Sequence, residues 1–154
     1  MGCVCLRSDV HLRAPNNAQE SEAYYHFRWQ SLRQPLSQPL GSERDEFEAQ
    51  AMHCLATIDA QIVGVGRVHM DTQHSAQIRY MAVHSGQQKT GIGRSMVNYL
   101  LAAAEQCGAD YVWCNAREDA VGFYLRCGFK ALSPVQTDLE IPHTRMQLDL
   151  NGTR

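Results

Sequence analysis

Apolar and polar positions change period several times along this chain, and the clearest change falls between residues 78 and 107. Residues 78–84 (IRYMAVH) are rich in β-branched and aromatic side chains, as a buried strand would be. Ser85 and Gly86 break the run. From Ile92 onward the apolar residues are Ile92, Met96, Val97, Leu100, Leu101 and Ala104. This i, i+4, i+5, i+8 spacing predicts a helix with one buried face. A short segment, Gln88-Lys89-Thr90-Gly91-Ile92-Gly93, joins the two elements.

The same reading applied upstream predicts a strand over residues 3–13, ended by Ala14-Pro15-Asn16-Asn17, and a helix over 20–33. Ala23, Tyr24, Phe27 and Leu32 mark one face of that helix, and acidic residues occupy its first turn. Residues 34–42 hold Pro35, Pro39 and Gly41 and read as a loop. Ser42 to Glu46 looks like an N-cap followed by a short acidic helix. Residues 52–59 and 61–71, separated by a tight turn at Asp59-Ala60-Gln61, predict an antiparallel hairpin. Gly64 and Gly66 in its second strand suggest a bulge or a close backbone approach. A turn at 72–75 leads into the central strand.

Downstream, residues 111–116 predict a short strand, and 118–127 a helix closed by Gly128. A strand over 129–132, a loop over 133–142 and a last strand over 143–150 complete the series. The order β-α-(α)-β-β-β-α-β-α-β-β describes a mixed α/β fold. No repeat or linker divides it, so residues 1–154 are expected to form one domain.

Composition narrows the classes. Of the 154 residues, 44% are hydrophobic and 19% charged, which fits a globular chain rather than a disordered one. No apolar run approaches the ~18 residues of a spanning helix, and the N-terminus lacks the pattern of a signal peptide. Met1-Gly2-Cys3 hints at myristoylation, but Leu6 stands where Ser or Thr is needed. The net charge of -2, with no basic run, does not favour nucleic acid or a membrane surface. Among the six cysteines (Cys3, Cys5, Cys54, Cys107, Cys114, Cys127) there is no C-x-x-C pair. They read as small apolar packing residues of a reduced, cytoplasmic protein, with no metal site.

The segment before the long helix carries the chemistry. A helix N-terminus presents unpaired N–H groups and a partial positive charge, and glycines there let a ligand approach the backbone. Phosphate oxygens suit such a place. A Walker A loop would need Lys and Ser/Thr where Ile92 and Gly93 stand, and the dinucleotide fingerprint would need Gly at Met96. The pattern that fits is Q/R-x-x-G-x-G/A, as Gln88, Gly91 and Gly93. It resembles the acyl-CoA pyrophosphate loop of the GNAT N-acetyltransferase family. One helix and one strand later, Asn115, Ala120, Phe123-Tyr124 and Gly128-Phe129 resemble the second signature of that family, N-x-x-A-x-x-F-Y-x-x-x-G-F, with a different spacing after Asn115. The segments around Tyr25-x-Phe27-Arg28-Trp29, 41–45 and 78–83 are also similar to the acetyltransferase half of bacterial acetyltransferase–thioesterase proteins.

The resemblance implies a GNAT fold, a twisted, mainly antiparallel sheet of six to seven strands with helices on both faces. It implies transfer of an acyl group, acetyl first among candidates, from acetyl-CoA to a primary amine on a small molecule or peptide, by direct attack in a ternary complex. Backbone groups of Met81, Ala82 and Val83 would meet the pantetheine arm, with the Val83 N–H polarising the thioester. Gln88, Lys89, Thr90, Gly91, Ile92, Gly93 and Arg94 would meet the phosphates. Asn115 either holds the arm or caps the next helix. Tyr124 would return a proton to the leaving thiolate.

Some family members carry a Glu base on the central strand, where this chain has Gln77. Glu43, His69, Glu140 and His143 are the remaining candidates, His143 first. Arg28, Trp29, Glu43 and Arg79 are expected to line the acceptor site, with Arg44, Asp45 and Arg117 nearby. Arg79 should share a strand face with Gln77 and Met81. A homodimer is the family's analogy. A non-catalytic acyl-CoA sensor and a transferase of longer acyl chains are the alternatives.

Overall fold

Among the described residues, hydrophobic periodicity and turn chemistry build a seven-stranded sheet flanked by three helices. The computed structural model describes residues 9–135 and 141–150. The strands are β1 (Val10–Arg13), β2 (Met52–Ile58), β3 (Gln61–Met70), β4 (Ser75–Val83), β5 (Tyr111–Arg117), β6 (Lys130–Val135) and β7 (His143–Asp149). The helices are α1 (Ala18–Leu32), α2 (Ile92–Gln106) and α3 (Val121–Arg126). The sheet order is β1-β2-β3-β4-β5-β7-β6, antiparallel throughout except where β4 meets β5. The part of the first strand and its cysteines expected before residue 9 lies outside the described residues, as does Glu140.

Local chemistry explains most boundaries. Asn17 caps α1, its side chain accepting from the Glu20 N–H at 2.8 Å. Asp59 and Ala60 both take positive φ, 51° and 66°, which closes the β2–β3 hairpin in two residues. Gly128, at φ 99°, follows α3 where a left-handed residue ends a helix.

Helices cover both faces of the sheet, so β3 is buried from Val63 to His69. On one face α2 inserts Ile92, Met96, Val97, Leu100 and Ala104, all fully buried, against Val68, Ile78 and Val112. Side chains of this kind contribute roughly 1.5–3 kcal/mol each on burial. On the other face α1 lays Tyr24 over Leu55 and Val65. Gly64 and Gly66 are where the first face needs room: a Cβ at Gly64 would stand 2.7 Å from Met96 Sδ, and one at Gly66 would collide with Met81 Sδ.

Several expectations need correction. Residues 42–46 form turns, not a helix, because their carboxylates are drawn onto buried arginines. The helix expected over 118–127 begins as a 3₁₀ turn, Glu118–Ala120, before α3. The loop expected from residue 133 is still strand through Val135. Ala23 is exposed, and Arg28 takes its place on the buried face of α1. Cys107 is exposed at the end of α2, whereas Cys54 and Cys114 are buried. Met81 does not share a face with Arg79. Tyr80 has φ 61° and forms a bulge opposite Gly66, so Arg79 and Tyr80 both lie toward α1 and Met81 lies toward α2.

Candidate active site

The site begins where two strands part. β4 and β5 run parallel and pair only over Ser75↔Tyr111, Ala76↔Val112 and Gln77↔Trp113. Beyond Gln77, β4 follows β3 while β5 follows β7, and a cleft opens between them. The His84 N–H donates to the Val63 carbonyl at 2.8 Å. Strand alternation therefore turns the Val83 N–H away from β3, toward the cleft. The side chains of Met81 and Val83 pack on the α2 core, and Ala82 packs beneath α1.

At the end of β4 the chain enters the helix start. Ser85–Gln87 form a 3₁₀ turn, and Lys89 and Gly91 take positive φ, 65° and 90°. Gly91 is the N-cap of α2 and offers no side chain, and the first intrahelical bond runs from the Ser95 N–H to its carbonyl at 3.0 Å. The N–H groups of Ile92, Gly93 and Arg94 thus lack helical partners. Gln88 Nε2 donates to the Val83 carbonyl at 3.3 Å and ties the loop to the strand. Thr90 Oγ1 donates to the Gln87 carbonyl at 2.5 Å. Lys89 and Arg94 are exposed beside the open N–H groups. Gly93 serves packing as well: a Cβ there would lie 3.0 Å from the Phe123 ring.

Tyr124 of α3 packs on the α2 side of the sheet beside Cys114, whereas Asn115, the next residue of β5, points to the face that carries Arg117 and α1. Tyr124 is buried between Phe123 and Phe129, at ring distances of 5.0 Å and 5.3 Å. Burial, with Cys114 and Cys127 beside it, raises its phenol well above the usual value and keeps it protonated. Burial pushes the Cys114 thiol up to about 12, so it is a packing group and not a thiolate nucleophile. Asn115 Oδ1 is buried with no hydrogen-bond partner among the described residues. It neither caps a helix nor pairs with the sheet, and an unpaired buried acceptor suits an N–H from a ligand.

The three candidate bases among the described residues fare differently. Glu43 is 3% exposed. Burial pushes its carboxyl up, but hydrogen bonds from backbone N–H groups and Arg44 outweigh this and hold it below the usual range. His69 is stacked on Phe47 at 4.3 Å, and its Nδ1 accepts from Arg67. Burial and Arg67 together lower its pKa. His143 lies on β7 opposite Arg117 of β5. Its Nδ1 is 2.6 Å from the Ile141 carbonyl, which can only accept. That contact assigns the proton to Nδ1 and leaves Nε2 as the basic nitrogen of the neutral ring.

The expected acceptor residues divide. Arg28 is sealed from solvent and holds the Glu43 carbonyl, Glu48 and Tyr24, a structural position instead of a contact surface. Glu43 is likewise taken up internally. Trp29 donates to the Gln38 carbonyl at 3.0 Å and is partly open. Arg79 remains 38% exposed and pairs with Asp45. Two residues were missed as site elements, Arg33 and Tyr80. The Tyr80 ring is flanked by the guanidiniums of Arg28, Arg33, Arg67 and Arg79 at 4.3–5.6 Å. Nothing in spacing signals a tyrosine at positive φ. Among the described residues no group of three His, Cys, Asp or Glu side chains could hold a metal, and no helix is long and apolar enough to cross a membrane.

Comparison with known proteins agrees with this fold. The profile of the acetyltransferase (GNAT) domain matches residues 21–150. The chain belongs to the GNAT acetyltransferase family. An uncharacterized N-acetyltransferase of Bacillus subtilis, YjcF, is 29% identical over 137 residues, 88% of this chain and 96% of YjcF. Among solved structures, an acyl-CoA N-acyltransferase from Pseudomonas aeruginosa superposes with a TM-score of 0.74 at 24% identity, over 90% of this chain and 97% of that one. An aminoglycoside 6'-N-acetyltransferase complexed with coenzyme A gives 0.72 at 15% identity, over 91% and 96%. At these identities the structures show the shared fold.

Proposed function

We propose that this GNAT acetyltransferase moves an acetyl group from acetyl-CoA to a primary amine by direct attack. The observation that carries the reading is the parting of β4 and β5 beside the uncapped start of α2. The N–H groups of Ile92, Gly93 and Arg94 bind the pyrophosphate, assisted by Lys89 and Arg94. The pantetheine arm lies in the cleft, where the Val83 N–H is turned away from β3 and Asn115 Oδ1 has no hydrogen-bond partner among the described residues, so that they can take up its thioester and amide groups.

The amine nitrogen attacks the thioester carbon, and the C–N bond forms as the carbonyl becomes an oxyanion. The Val83 N–H, already turned to the cleft, stabilises that charge. Collapse breaks the C–S bond. Tyr124 donates its proton to the departing sulfur and recovers one from solvent. His143 Nε2 accepts the proton that the amine releases.

Thermal melting tests the binding step. Acetyl-CoA at ~100 times its dissociation constant should stabilise the protein by roughly 2.7 kcal/mol, and ATP should not. Longer acyl-CoAs in the same series test the chain length. Thiol release from acetyl-CoA, dependent on an added amine, tests the transfer. No shift with any CoA species would overturn the reading.

A further inference from the structure

Between α1 and the parted ends of β4 and β5 the chain carries more positive charge than its described carboxylates neutralise. Arg28 and Arg67 are fully buried and draw on Asp45 and Glu48, and Arg79 draws on Asp45 as well. Two acids therefore serve three guanidiniums. Arg33 and Arg117 add two more, neither within ion-pair distance of a carboxylate among the described residues.

Both are held in place instead of being released to water. Arg33 is 8% exposed. Its Nε donates to the Ser42 carbonyl at 3.0 Å, and its guanidinium stands 5.6 Å from the centre of the Tyr80 ring, on which Arg79 also rests at 4.5 Å. Its terminal nitrogens have no partner among the described residues, yet they are not sealed from solvent. Arg117, the last residue of β5, donates from Nη2 to the carbonyl of Leu32, the residue before Arg33, at 3.0 Å. Burial and the charge of Arg33 lower its hold on its proton, and the opposing pull of Asp119 is smaller. Long cationic side chains ordinarily extend into water. Two fixed ones that repel each other are an unsatisfied arrangement, and an anion between them would satisfy it.

Arg117 also lines an open cavity of about 400 Å³ with Glu118, Asp119 and Ile141. Glu118 and Asp119 are exposed and solvated, so they do not neutralise the buried Arg33. With Arg117 they make the cavity bipolar, one guanidinium facing two carboxylates. That polarity matches a molecule carrying both an anion and an amine.

We propose that Arg33 and Arg117, with Arg79 beside them, bind the anionic group of the acceptor, so that the substrate is an amine bearing a carboxylate or a phosphate. The planar guanidinium forks fit either group in bidentate fashion. This rests on the acyl-transfer reading above and names its substrate class.

Isothermal titration of the CoA-saturated protein decides it. The probes are β-alanine and phosphoethanolamine, compared with ethanolamine and 1,4-diaminobutane. The anionic amines are expected to bind at least tenfold more tightly than both others, and the tighter of the two tells carboxylate from phosphate. Arg117→Met and Arg33→Met should each reduce that preference at least tenfold, while Arg33→Lys retains much of it. Arg117 is partly exposed, so its variant covers the case in which Arg33→Met fails to fold. Equal or tighter binding of 1,4-diaminobutane or ethanolamine, an unchanged preference in Arg117→Met, or no binding of any probe would overturn the proposal. If the anionic amines bind through Arg117 but no amine releases thiol from acetyl-CoA, the acyl-transfer reading fails while the anion site stands.

Discussion

Arg67 Nη2 donates to His69 Nδ1 across 2.8 Å. Arginine cannot accept, so the one basic lone pair of the neutral imidazole is occupied and its proton sits on a buried Nε2. A histidine so placed is a poor proton acceptor, whereas the carbonyl contact of His143 falls on Nδ1 and puts the lone pair of its neutral ring on Nε2. His69→Gln is expected to change turnover by no more than a few fold. His143→Gln should lower it by about 10²-fold, the usual scale for loss of a general base. Steady-state kinetics from pH 5.5 to pH 9 check both, and a large loss in His69→Gln alone would exchange the two roles.

Tyr124 supports a second expectation. Its phenol is raised well above the usual value by burial, so the acid form persists over the working range. The wild-type rate should show no alkaline fall from this group up to about pH 10, the ordinary phenol value. Tyr124→Phe should lower turnover about 10²-fold and leave the melting shift with CoA unchanged. Normal turnover in the variant would remove the acid role.

Gly91 and Gly93 separate backbone strain from crowding. Gly91→Ala places a Cβ on a residue at φ 90°, which costs about 1–2 kcal/mol and should lower the melting temperature while weakening CoA. In Gly93→Ala the new methyl would press the Phe123 ring at 3.0 Å and displace the helix that carries Tyr124. That variant should lose kcat more than CoA affinity. Equal losses of kcat and affinity in the two variants would count against this division.

Asp45 joins Arg67, at two contacts, to Arg79. Burial pushes its carboxyl up, but hydrogen bonds from Arg67 and the Phe47 N–H outweigh this and leave it lowered. A carboxyl lowered on folding contributes stability that is fully present above its unfolded value, about 3.9, and is lost as pH falls below it. Asp45→Asn leaves Arg67 without its main counter-charge and should cost on the order of 3 kcal/mol at neutral pH. Urea unfolding at pH 7 and pH 3 should find that difference shrinking at the lower pH. A constant difference would point to packing instead of charge.

The parts of this molecule readable from the letters are those where period and turn chemistry act locally. Ile92, Met96 and Leu100 announce α2, and Gln88, Gly91 and Gly93 announce the loop before it. Arg28 and Arg67 were not readable as core, because arginine reads as surface until the carboxylates that bury it are known. Those carboxylates, Asp45 and Glu48, arrive from a segment whose own acidic pattern suggested a helix. Tertiary ion pairs overrode that local preference. Pro134 concealed the end of β6, yet β6 is the edge strand, where an N–H is not needed on both sides. The bulge at Tyr80 reversed the facing of everything after it, and a strict two-residue alternation cannot foresee a bulge.

The three pairs that join β4 to β5 have a thermodynamic meaning of their own. They are the seam between two sub-sheets, β1-β2-β3-β4 and β5-β7-β6, and few backbone bonds couple the opening of one to the opening of the other. In the ligand-free protein, amide hydrogens of β5, β7 and β6 are expected to exchange as a separate cooperative unit. A molecule lying in the cleft would supply the missing rungs. Coenzyme A would then be a reactant and also the piece that makes one folding unit out of two.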